Sequence, residues 1–424
     1  MRVLIVGSGG REHALAWKLS QSPALARLYA APGNPGIATV AECVPISAEA
    51  ISDLVAFAER ERIGLTVVGP EVPLALGIAD AFEERKLPCF GPSRNAARIE
   101  SSKAFAKDLM ARHGVPTAHA RSFTNPADAT RHARSLGPPL VVKADGLAAG
   151  KGVTVCRDEA SALEAIDQLM IKKIFGAAGE TVVIEECLEG EEASFFALTD
   201  GRQILPLDAA QDHKAVFDGD RGPNTGGMGA YSPTPSVSGA LADEVMEKIV
   251  NPTVRALAEA GHPYRGVLYA GLMLTASGPK ALEFNARFGD PETQPLLLRI
   301  EDDLLPLLHA TATGESLPKS IRFSPKAAVC VVLASGGYPG EYATGKPISG
   351  VEAAQAIPGV VVFHAGTTMR DGRLLTAGGR VLGVTALGRT IGSAIAQAYE
   401  AVSKIHFEGM HYRSDIGRRA LEGH

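Results

Sequence analysis

The amino-acid sequence predicts a multidomain protein of mixed α/β and α+β class, and three observations lead to that prediction. The chain has 424 residues, of which 46% are hydrophobic and 21% are charged, so it can bury several cores and should form about three domains. Over about the first 95 residues strands alternate with helices, which indicates a doubly wound parallel sheet. Later short strands follow one another around tight turns, which indicates antiparallel sheets.

The N-terminal α/β domain is predicted at residues 1–101. Its strands 2–6 and 65–68 both end at glycine, and the carboxyl ends of such parallel strands usually face a ligand crevice. The first turn reads Gly-Ser-Gly-Gly-Arg-Glu and lacks the G-x-G-x-x-G spacing of NAD-binding folds. Its amides and Arg11 suit the phosphate of a sugar phosphate, and Glu71 suits the sugar hydroxyls.

A central region is predicted at residues 102–324, with a mobile subdomain at about 122–192. Within it, residues 142–152 read Val-Lys-Ala-Asp-Gly-Leu-Ala-Ala-Gly-Lys-Gly between two predicted strands. Small residues let the backbone approach a ligand, and amides together with Lys143 and Lys151 are what a triphosphate needs. The spacing and the hairpin context differ from a P-loop.

Two acidic segments complete a predicted nucleotide site. The strand ending at Glu185 can offer its backbone to an adenine edge, and a carboxylate shortly after it can bind ribose hydroxyls. Glu283 and Asn285 alternate on a strand and therefore share a face, where two hard oxygen ligands suit Mg²⁺ bound to phosphate. Arg287 follows on the same face and can stabilise a transferring phosphoryl group.

Two regions remain toward the C-terminus. Residues 211–235 are rich in Gly and Pro and are expected to carry little regular structure, forming a loop over a ligand. A small C-terminal α+β domain is predicted at residues 325–424, ending with a helix at about 390–404.

Composition excludes several classes of protein. The net charge of −5 offers no positive field for nucleic acid. The five cysteines are far apart and without a C-x-x-C pair, which argues against zinc and disulfide frameworks. The first residues read as a strand rather than a signal peptide, and no apolar run reaches the roughly 20 residues that span a bilayer. We therefore expect a cytoplasmic enzyme without a membrane partner, as a monomer or weak dimer.

Seven segments resemble the phosphoribosylamine–glycine ligase family, also called glycinamide ribonucleotide synthetases, within the ATP-grasp superfamily. The likeness runs in register from residue 1 to about 417. The segments are GGREHA (9–14), APGNPG (31–36), VGPE (68–71), KADGLAAGKG (143–152), QDHK (211–214), GPNTGGMGAYSP (222–233) and FNARFGDPE (284–292).

The resemblance implies an ATP-grasp core of two α+β subdomains and the ATP-dependent ligation of glycine to 5-phosphoribosylamine in purine synthesis. It also implies roles for individual residues. For ATP these are Lys103, Lys143, Gly150, Glu185, Glu186, Leu188 and Glu192. For Mg²⁺ or Mn²⁺ they are Glu283 and Asn285. For catalysis they are Asp212, Arg287 and Lys151. For the substrates they are Gly9, Gly10, Asn34, Glu71, Asp290 and Pro291.

One departure and two alternatives stand beside this interpretation. The family has a basic residue after Gln-Asp-His-Lys and a glycine two residues later, where this chain has Ala215 and Phe217, which puts the order of that loop in question. A sibling ATP-grasp carboxylase would use bicarbonate in place of glycine. A silent nucleotide-binding regulator would not need the metal ligands Glu283 and Asn285.

Overall fold

The computed structural model of the chain describes residues 1–148 and 151–422, so Gly150 lies outside the described residues. Its first sheet is parallel throughout, which confirms the predicted doubly wound domain. The strands, in spatial order, are Glu42–Cys43, Arg27–Pro32, Arg2–Gly7, Leu65–Val68 and Cys89–Phe90. The helices are Gly10–Leu19, Ile51–Glu61, Glu71–Leu76, Ile78–Glu84 and Arg98–Ser101.

The alternation of side chains along strand Arg2–Gly7 explains why helices cover both faces of this sheet. Leu4 and Val6 point into one core, and Val3 and Ile5 point into another. The strand order reverses at this central strand, so its carboxyl end and that of Leu65–Val68 open a crevice between diverging connections. Gly9 and Glu71 follow directly after these two strand ends.

The next sheet is a small antiparallel one. Its strands, in spatial order, are Ala120–Phe123, Val182–Glu186, Leu140–Ala144 and Val153–Cys156. The predicted hairpin around residues 145–152 joins the last two strands and is confirmed by their register. Helices Pro126–Leu136 and Glu159–Ile166 pack on one face, the second followed by a π-helical turn at Asp167–Ile171 and a 3-10 turn at Gly176–Gly179.

A second antiparallel sheet forms the other half of the central region. Its strands, in spatial order, are Ile204–Pro206, Glu191–Thr199, Gly266–Thr275 and Gly278–Asn285. The helices around it are Lys103–Arg112, Ala240–Val245, Asn251–Glu259, Thr293–Arg299 and Leu304–Thr313. The helix predicted over 240–260 is continuous, with a π-helical segment at Met246–Val250.

The expectation of little regular structure over residues 211–235 is wrong. This region contains the strands Gln211–Asp212, Ala215–Phe217, Arg221–Asn224 and Gly229–Ser232. Gly229–Ser232 is fully buried and pairs with Ala327–Ser335, almost 100 residues later in the chain. Each strand is too short to show a period, and their Gly and Pro content is typical of turns. Long-range pairing therefore decides their structure.

The last sheet combines strands from residues 211–235 with strands from the C-terminal part of the chain. In spatial order it contains Gln211–Asp212, Gly229–Ser232, Ala327–Ser335, Arg380–Gly388 and Val360–His364, with Met410–His411 beside Ala327–Ser335. Thr367–Arg370 and Arg373–Thr376 form a separate hairpin, and the helices are Val351–Gln355, Ile391–Val402 and Arg419–Glu422. Along the part of the chain that the model describes, no helix is long and apolar enough to cross a membrane.

Two buried histidines join the first domain to the last sheet. The backbone N–H of His364 donates to Nδ1 of His13 at 2.8 Å, so His13 must be neutral at that nitrogen. Burial, with His364 nearby, lowers the pKa of His13 to about 3, and burial lowers the pKa of His364 to about 4. Both groups are therefore neutral in the folded protein at neutral pH.

We expect this contact to make the protein acid-sensitive. Both folded-state pKa values lie below the unfolded value of about 6.5, so the stabilisation is complete above about pH 6.5 and is lost as the pH falls below it. Each histidine should cost on the order of 2 kcal/mol at pH 5. The measurement is the urea midpoint at pH 8 and pH 5. His13→Asn should reduce the difference between the midpoints at the two pH values. The control His406→Asn, at an exposed position, should leave that difference unchanged. An unchanged pH dependence in His13→Asn would contradict this account.

Candidate active site

The parallel sheet of the first domain, the two antiparallel sheets of the central region and the last sheet all contribute residues to one cavity of about 770 Å³. Most residues singled out from the sequence line it, although they come from all parts of the chain. They are Gly9, Glu71, Lys103, Lys143, Lys151, Glu185, Glu186, Leu188, Glu192, Asp212, Glu283, Asn285, Arg287 and Asp290. A site assembled from this many elements requires the whole fold.

A buried carboxylate holds two lysines at one end of the cavity. Glu185 contacts Lys143 through one carboxylate oxygen and Lys107 through the other, the latter at 2.6 Å, and all three side chains are at most 8% exposed. Burial lowers the pKa of Lys107, although Glu185 opposes that effect. The two ammonium groups are fixed in the cavity wall with little exposure to solvent, where they attract anions more strongly than exposed lysines do.

A third lysine lies beside this pair. Lys103 is on the same helix one turn before Lys107, and its Nζ donates to the Gly146 carbonyl at 3.4 Å. Burial lowers the pKa of Lys103, with Glu283 opposing that shift. Asp145 fixes the start of the glycine-rich loop, because its Oδ1 accepts from the Ala104 N–H at 2.7 Å. The helix and the loop therefore present lysines and amides to the same space.

The end of strand Val182–Glu186 and the segment after it also line the cavity. Glu186 Oε1 accepts from the backbone N–H of His119 at 3.1 Å, which holds the strand end in place. Glu192 forms an ion pair of 2.5 Å with Lys214. Lys151 reaches across the site and donates to the Pro339 carbonyl at 2.8 Å. The glycine-rich loop thus already contacts the C-terminal part of the chain.

Glu283 and Asn285 also line the cavity. Burial raises the pKa of Glu283, but Lys214, Lys143, Lys103 and Arg287 outweigh it and hold the pKa below its usual value. Asn285 Oδ1 lies 3.4 Å from Arg287 Nη2. In residues 1–148 and 151–422 no group of three or more His, Cys, Asp or Glu side chains is arranged as a metal site. Two oxygen donors beside an anion-binding surface fit a Mg²⁺-type ion that takes its other ligands from phosphate and water.

Arg287 connects this centre with the first domain. Its guanidinium forms ion pairs with Glu71 at 3.2 Å and with Glu100 at 3.0 Å. Burial lowers the pKa of Arg287, but the two carboxylates more than compensate and raise it. Burial raises the pKa of Glu100, whereas Arg287 outweighs burial at Glu71 and lowers its pKa. Arg287 is therefore a permanently charged group, held by carboxylates of the first domain.

Two acidic side chains, Asp212 and Glu292, line the same cavity. Burial raises the pKa of Asp212 to about 7, with Lys214 opposing and Glu292 assisting the shift. Tyr269 donates to Glu292 Oε1 at 2.7 Å, and Ser194 is 2.8 Å from the same hydroxyl. Carboxylates of this kind can hold a small ammonium group, and one of them can accept a proton near neutral pH.

Three models of one protein family match consecutive parts of the chain. Residues 1–100 match the phosphoribosylglycinamide synthetase N domain, residues 101–293 match its ATP-grasp (A) domain, and residues 328–419 match its C domain. The chain belongs to the phosphoribosylglycinamide synthetase family. This confirms the resemblance inferred from the seven segments and the predicted ATP-grasp core.

Relatives of the synthetase family match over the whole chain. The chain is 53% identical to a phosphoribosylamine–glycine ligase of Rhizobium meliloti and 54% identical to one of Allochromatium vinosum, with 99% of each chain covered. The crystal structure of the Thermotoga maritima phosphoribosylamine–glycine ligase superposes with a TM-score of 0.86 at 34% identity, covering 98% of this chain and 100% of that one. A biotin carboxylase domain from Hydrogenobacter thermophilus shares the fold alone, at 18% identity and a TM-score of 0.73, covering 97% of this chain and 91% of that one.

Three residues predicted for the synthetase substrates do not line the cavity. The Asn34 amide donates to the carbonyls of Ser8 and His364 at 2.8 and 2.9 Å, and its Oδ1 accepts from the Ile37 N–H. Gly10 and Pro291 directly follow the lining residues Gly9 and Asp290 in the sequence. The substrate roles of Gly10, Asn34 and Pro291 stay predictions, and the contacts of Asn34 indicate support of the first turn.

Sequence reasoning also missed three residues of the site. Lys107 lies one helical turn after Lys103, so helical spacing could have suggested it. Glu100 gave no signal. Arg380 lies 90 residues from Asp290, yet it forms an ion pair of 2.9 Å with that carboxylate and donates to the Asp290 and Gly226 carbonyls, both at 2.6 Å. No local pattern reports a contact between such distant residues.

Proposed function

We propose that the chain joins glycine to 5-phosphoribosylamine with ATP, giving glycinamide ribonucleotide, ADP and phosphate in de novo purine (IMP) biosynthesis. The observation that carries this proposal is the set of groups that line one cavity. Lys103, Lys107 and Lys143, the pair Glu283 and Asn285, and Asp212 with Glu292 all line it together with the glycine-rich first turn. Membership of the synthetase family supports the same reaction.

The reaction runs in two steps through glycyl phosphate. A glycine carboxylate oxygen attacks the γ-phosphorus of ATP, and ADP leaves. The amine of phosphoribosylamine then attacks the glycyl carbonyl, phosphate leaves with one oxygen of glycine, and the amine loses a proton. Activation is needed because a free carboxylate does not react with an amine at neutral pH. Catalysis is therefore mainly positioning and charge stabilisation.

Each group of residues has a distinct part in these steps. Lys103 and Lys143 bind the phosphates, and Glu186, Leu188 and Glu192 bind adenine and ribose. Glu283 and Asn285 hold Mg²⁺ or Mn²⁺, which neutralises phosphate charge when bound. Arg287 stabilises the transferring phosphoryl group, and Lys151 closes over it.

The remaining groups serve the two other substrates. Asp212, with a pKa raised to about 7 mainly by burial, binds the glycine ammonium group, while Glu71, Gly9 and Asp290 face phosphoribosylamine. Closure of the subdomain at about 122–192 would keep water from the glycyl phosphate. The scattered free cysteines support a reducing compartment, the cytoplasm, and a monomer or weak dimer remains our proposal for the oligomeric state.

A glycine-dependent assay tests this function. ADP release should require glycine and phosphoribosylamine together, and replacing glycine by bicarbonate should abolish it. Glycine labelled with heavy oxygen in its carboxylate should transfer one labelled oxygen to the released phosphate, as the glycyl phosphate step requires. Turnover with bicarbonate instead would favour an ATP-grasp carboxylase. No ADP release under the full conditions would refute the proposal.

A further inference from the structure

One wall of the cavity is carried by a short hairpin. The 215–224 hairpin consists of Ala215–Phe217 paired with Arg221–Asn224. Lys214 precedes it and Thr225 follows it, and both of these line the cavity together with Asn224. At this inner end, the N–H and the hydroxyl of Thr225 both donate to the Lys214 carbonyl at 2.8 Å. The position of Lys214 therefore depends on how the hairpin is held.

The hairpin is held by a buried arginine from the far end of the sequence. Arg413 is only 1% exposed. Its Nη1 donates to the Ala215 carbonyl at 3.1 Å and to Asp220 Oδ1 at 2.9 Å, which connects the start of the first strand with the turn that follows it. Its Nε and Nη2 donate to the two oxygens of Asp415, both at 2.7 Å. This two-pronged geometry is rigid, and lysine cannot reproduce it.

Neighbouring residues complete the attachment. Asp415 Oδ2 also accepts from the Gly219 N–H at 2.9 Å, and Asp218 Oδ1 accepts from the Ser414 N–H at 2.8 Å. The Arg413 carbonyl accepts from the Tyr399 hydroxyl at 2.7 Å, which fixes the segment to helix Ile391–Val402. The tip of the hairpin is thus bound to the C-terminal segment and not to the ATP-grasp sheets.

Hydrophobic packing holds the middle of the first strand but not its end. Val216 is 1% exposed and packs with Met228 and Ala334. Phe217 is 50% exposed and touches the His411 ring only at its edge, with ring centroids 5.6 Å apart. A two-stranded hairpin of this length has little stability of its own. Ala215 and Phe217 are also the positions where the chain departs from the family pattern. Polar attachment to Arg413, together with the burial of Val216, therefore holds the loop in which the departure occurs.

We propose that Arg413 is a positioning residue for catalysis, acting through the 215–224 hairpin on Lys214 and on Asp212, two residues before it. The proposal rests on the ligase function proposed above. Arg413 does not line the cavity, whereas Lys103 and Lys143 lie on elements outside the hairpin. Loss of Arg413 should therefore impair turnover and leave most of the nucleotide affinity intact.

The test is Arg413→Ala, with Arg418→Ala as a matched control. Arg418 is on the same segment, but its side chain is 72% exposed and pairs with Glu422, which is also exposed. For Arg413→Ala we expect kcat to fall by roughly 30-fold, because small displacements of a reacting site have effects of this size. ADP affinity measured by calorimetry should change less than about threefold with unchanged stoichiometry. Millimolar guanidinium should restore part of the turnover, and Arg418→Ala should behave as the wild type.

Other results would contradict either the positioning role of Arg413 or the ligase function. Wild-type kinetics in folded Arg413→Ala overturns the positioning role. So does a parallel loss of turnover and ADP stoichiometry that guanidinium does not reverse, because that describes a protein that has only lost stability. If Arg413→Ala does not fold, Arg413→Lys and Asp415→Asn are measured, and both must lower kcat with ADP affinity retained. An inactive wild-type protein refutes the ligase function and is seen before any variant is made.

Discussion

Glu283→Gln should lower kcat/KM by at least roughly 100-fold, which corresponds to about 2.7 kcal/mol of transition-state stabilisation. The substitution keeps the size of the side chain but removes its charge. Lys103, Lys143, Lys214 and Arg287 all act on this carboxylate and hold its pKa down, so the site is built around a negative charge. A neutral amide leaves these cations uncompensated and is a weaker ligand for Mg²⁺.

The measurement is glycine-dependent ADP release over a range of Mg²⁺ concentrations. Glu283→Gln should need more Mg²⁺ for half-maximal turnover, and excess Mg²⁺ should recover only part of the loss. The control is Glu247→Gln, at an exposed position of the 240–260 helix, which should leave both values unchanged. Equal activity of Glu283→Gln and wild type would remove the metal role and would favour a nucleotide-binding regulator.

Glu185→Ala should lower the free energy of unfolding by about 3–5 kcal/mol at neutral pH. The carboxylate is 2% exposed and stands between Lys143 and Lys107, whose side chains are 6% and 8% exposed. Removing it leaves two buried ammonium groups without their ion-pair partner, and this desolvation cost is the main origin of the effect. Urea midpoints of the variant and wild type, compared without nucleotide, provide the measurement.

A double variant separates the charge effect from the loss of packing. In Lys107→Met with Glu185→Leu one unpaired cation is replaced by an apolar side chain, so much of the stability should return. A loss below about 1 kcal/mol in Glu185→Ala would show that water already reaches the lysines and that the ion pairs are not buried in solution. ATP should raise the midpoint of the variant, because its phosphates supply the missing negative charge.

The sequence predicted the parts of the fold that have local signals. The strand Arg2–Gly7 is a β-branched run that ends at glycine, and the hairpin at 140–156 encloses a glycine-rich loop. Both are confirmed. Gly229–Ser232 has no such signal, because its strand conformation depends on pairing with Ala327–Ser335. Energy from distant partners cannot be read from the composition of four residues.

The same distinction holds for the site. Lys143, Glu283 and Arg287 were predicted from chemistry within short segments, and all three line the cavity. Lys107 and Arg380 line it too. Each forms an ion pair with a carboxylate far away in the sequence: Glu185 is 78 residues from Lys107, and Asp290 is 90 residues from Arg380. A charged residue in a helix or strand is normally solvated. Only the fold reveals that these cations are buried against carboxylates.

The pairing of Gly229–Ser232 with the last sheet has a consequence for the time course of synthesis. A ribosome adding roughly 5–20 residues per second delivers residues 410–411, which complete that sheet, on the order of ten seconds or more after residue 232. Once residue 293 has been added the ATP-grasp part of the nascent chain is complete, but strand Gly229–Ser232 still lacks its partner strand Ala327–Ser335. The buried face of Tyr231 is then uncovered. The catalytic cavity is therefore completed in a single late step, when the last strands have left the ribosome.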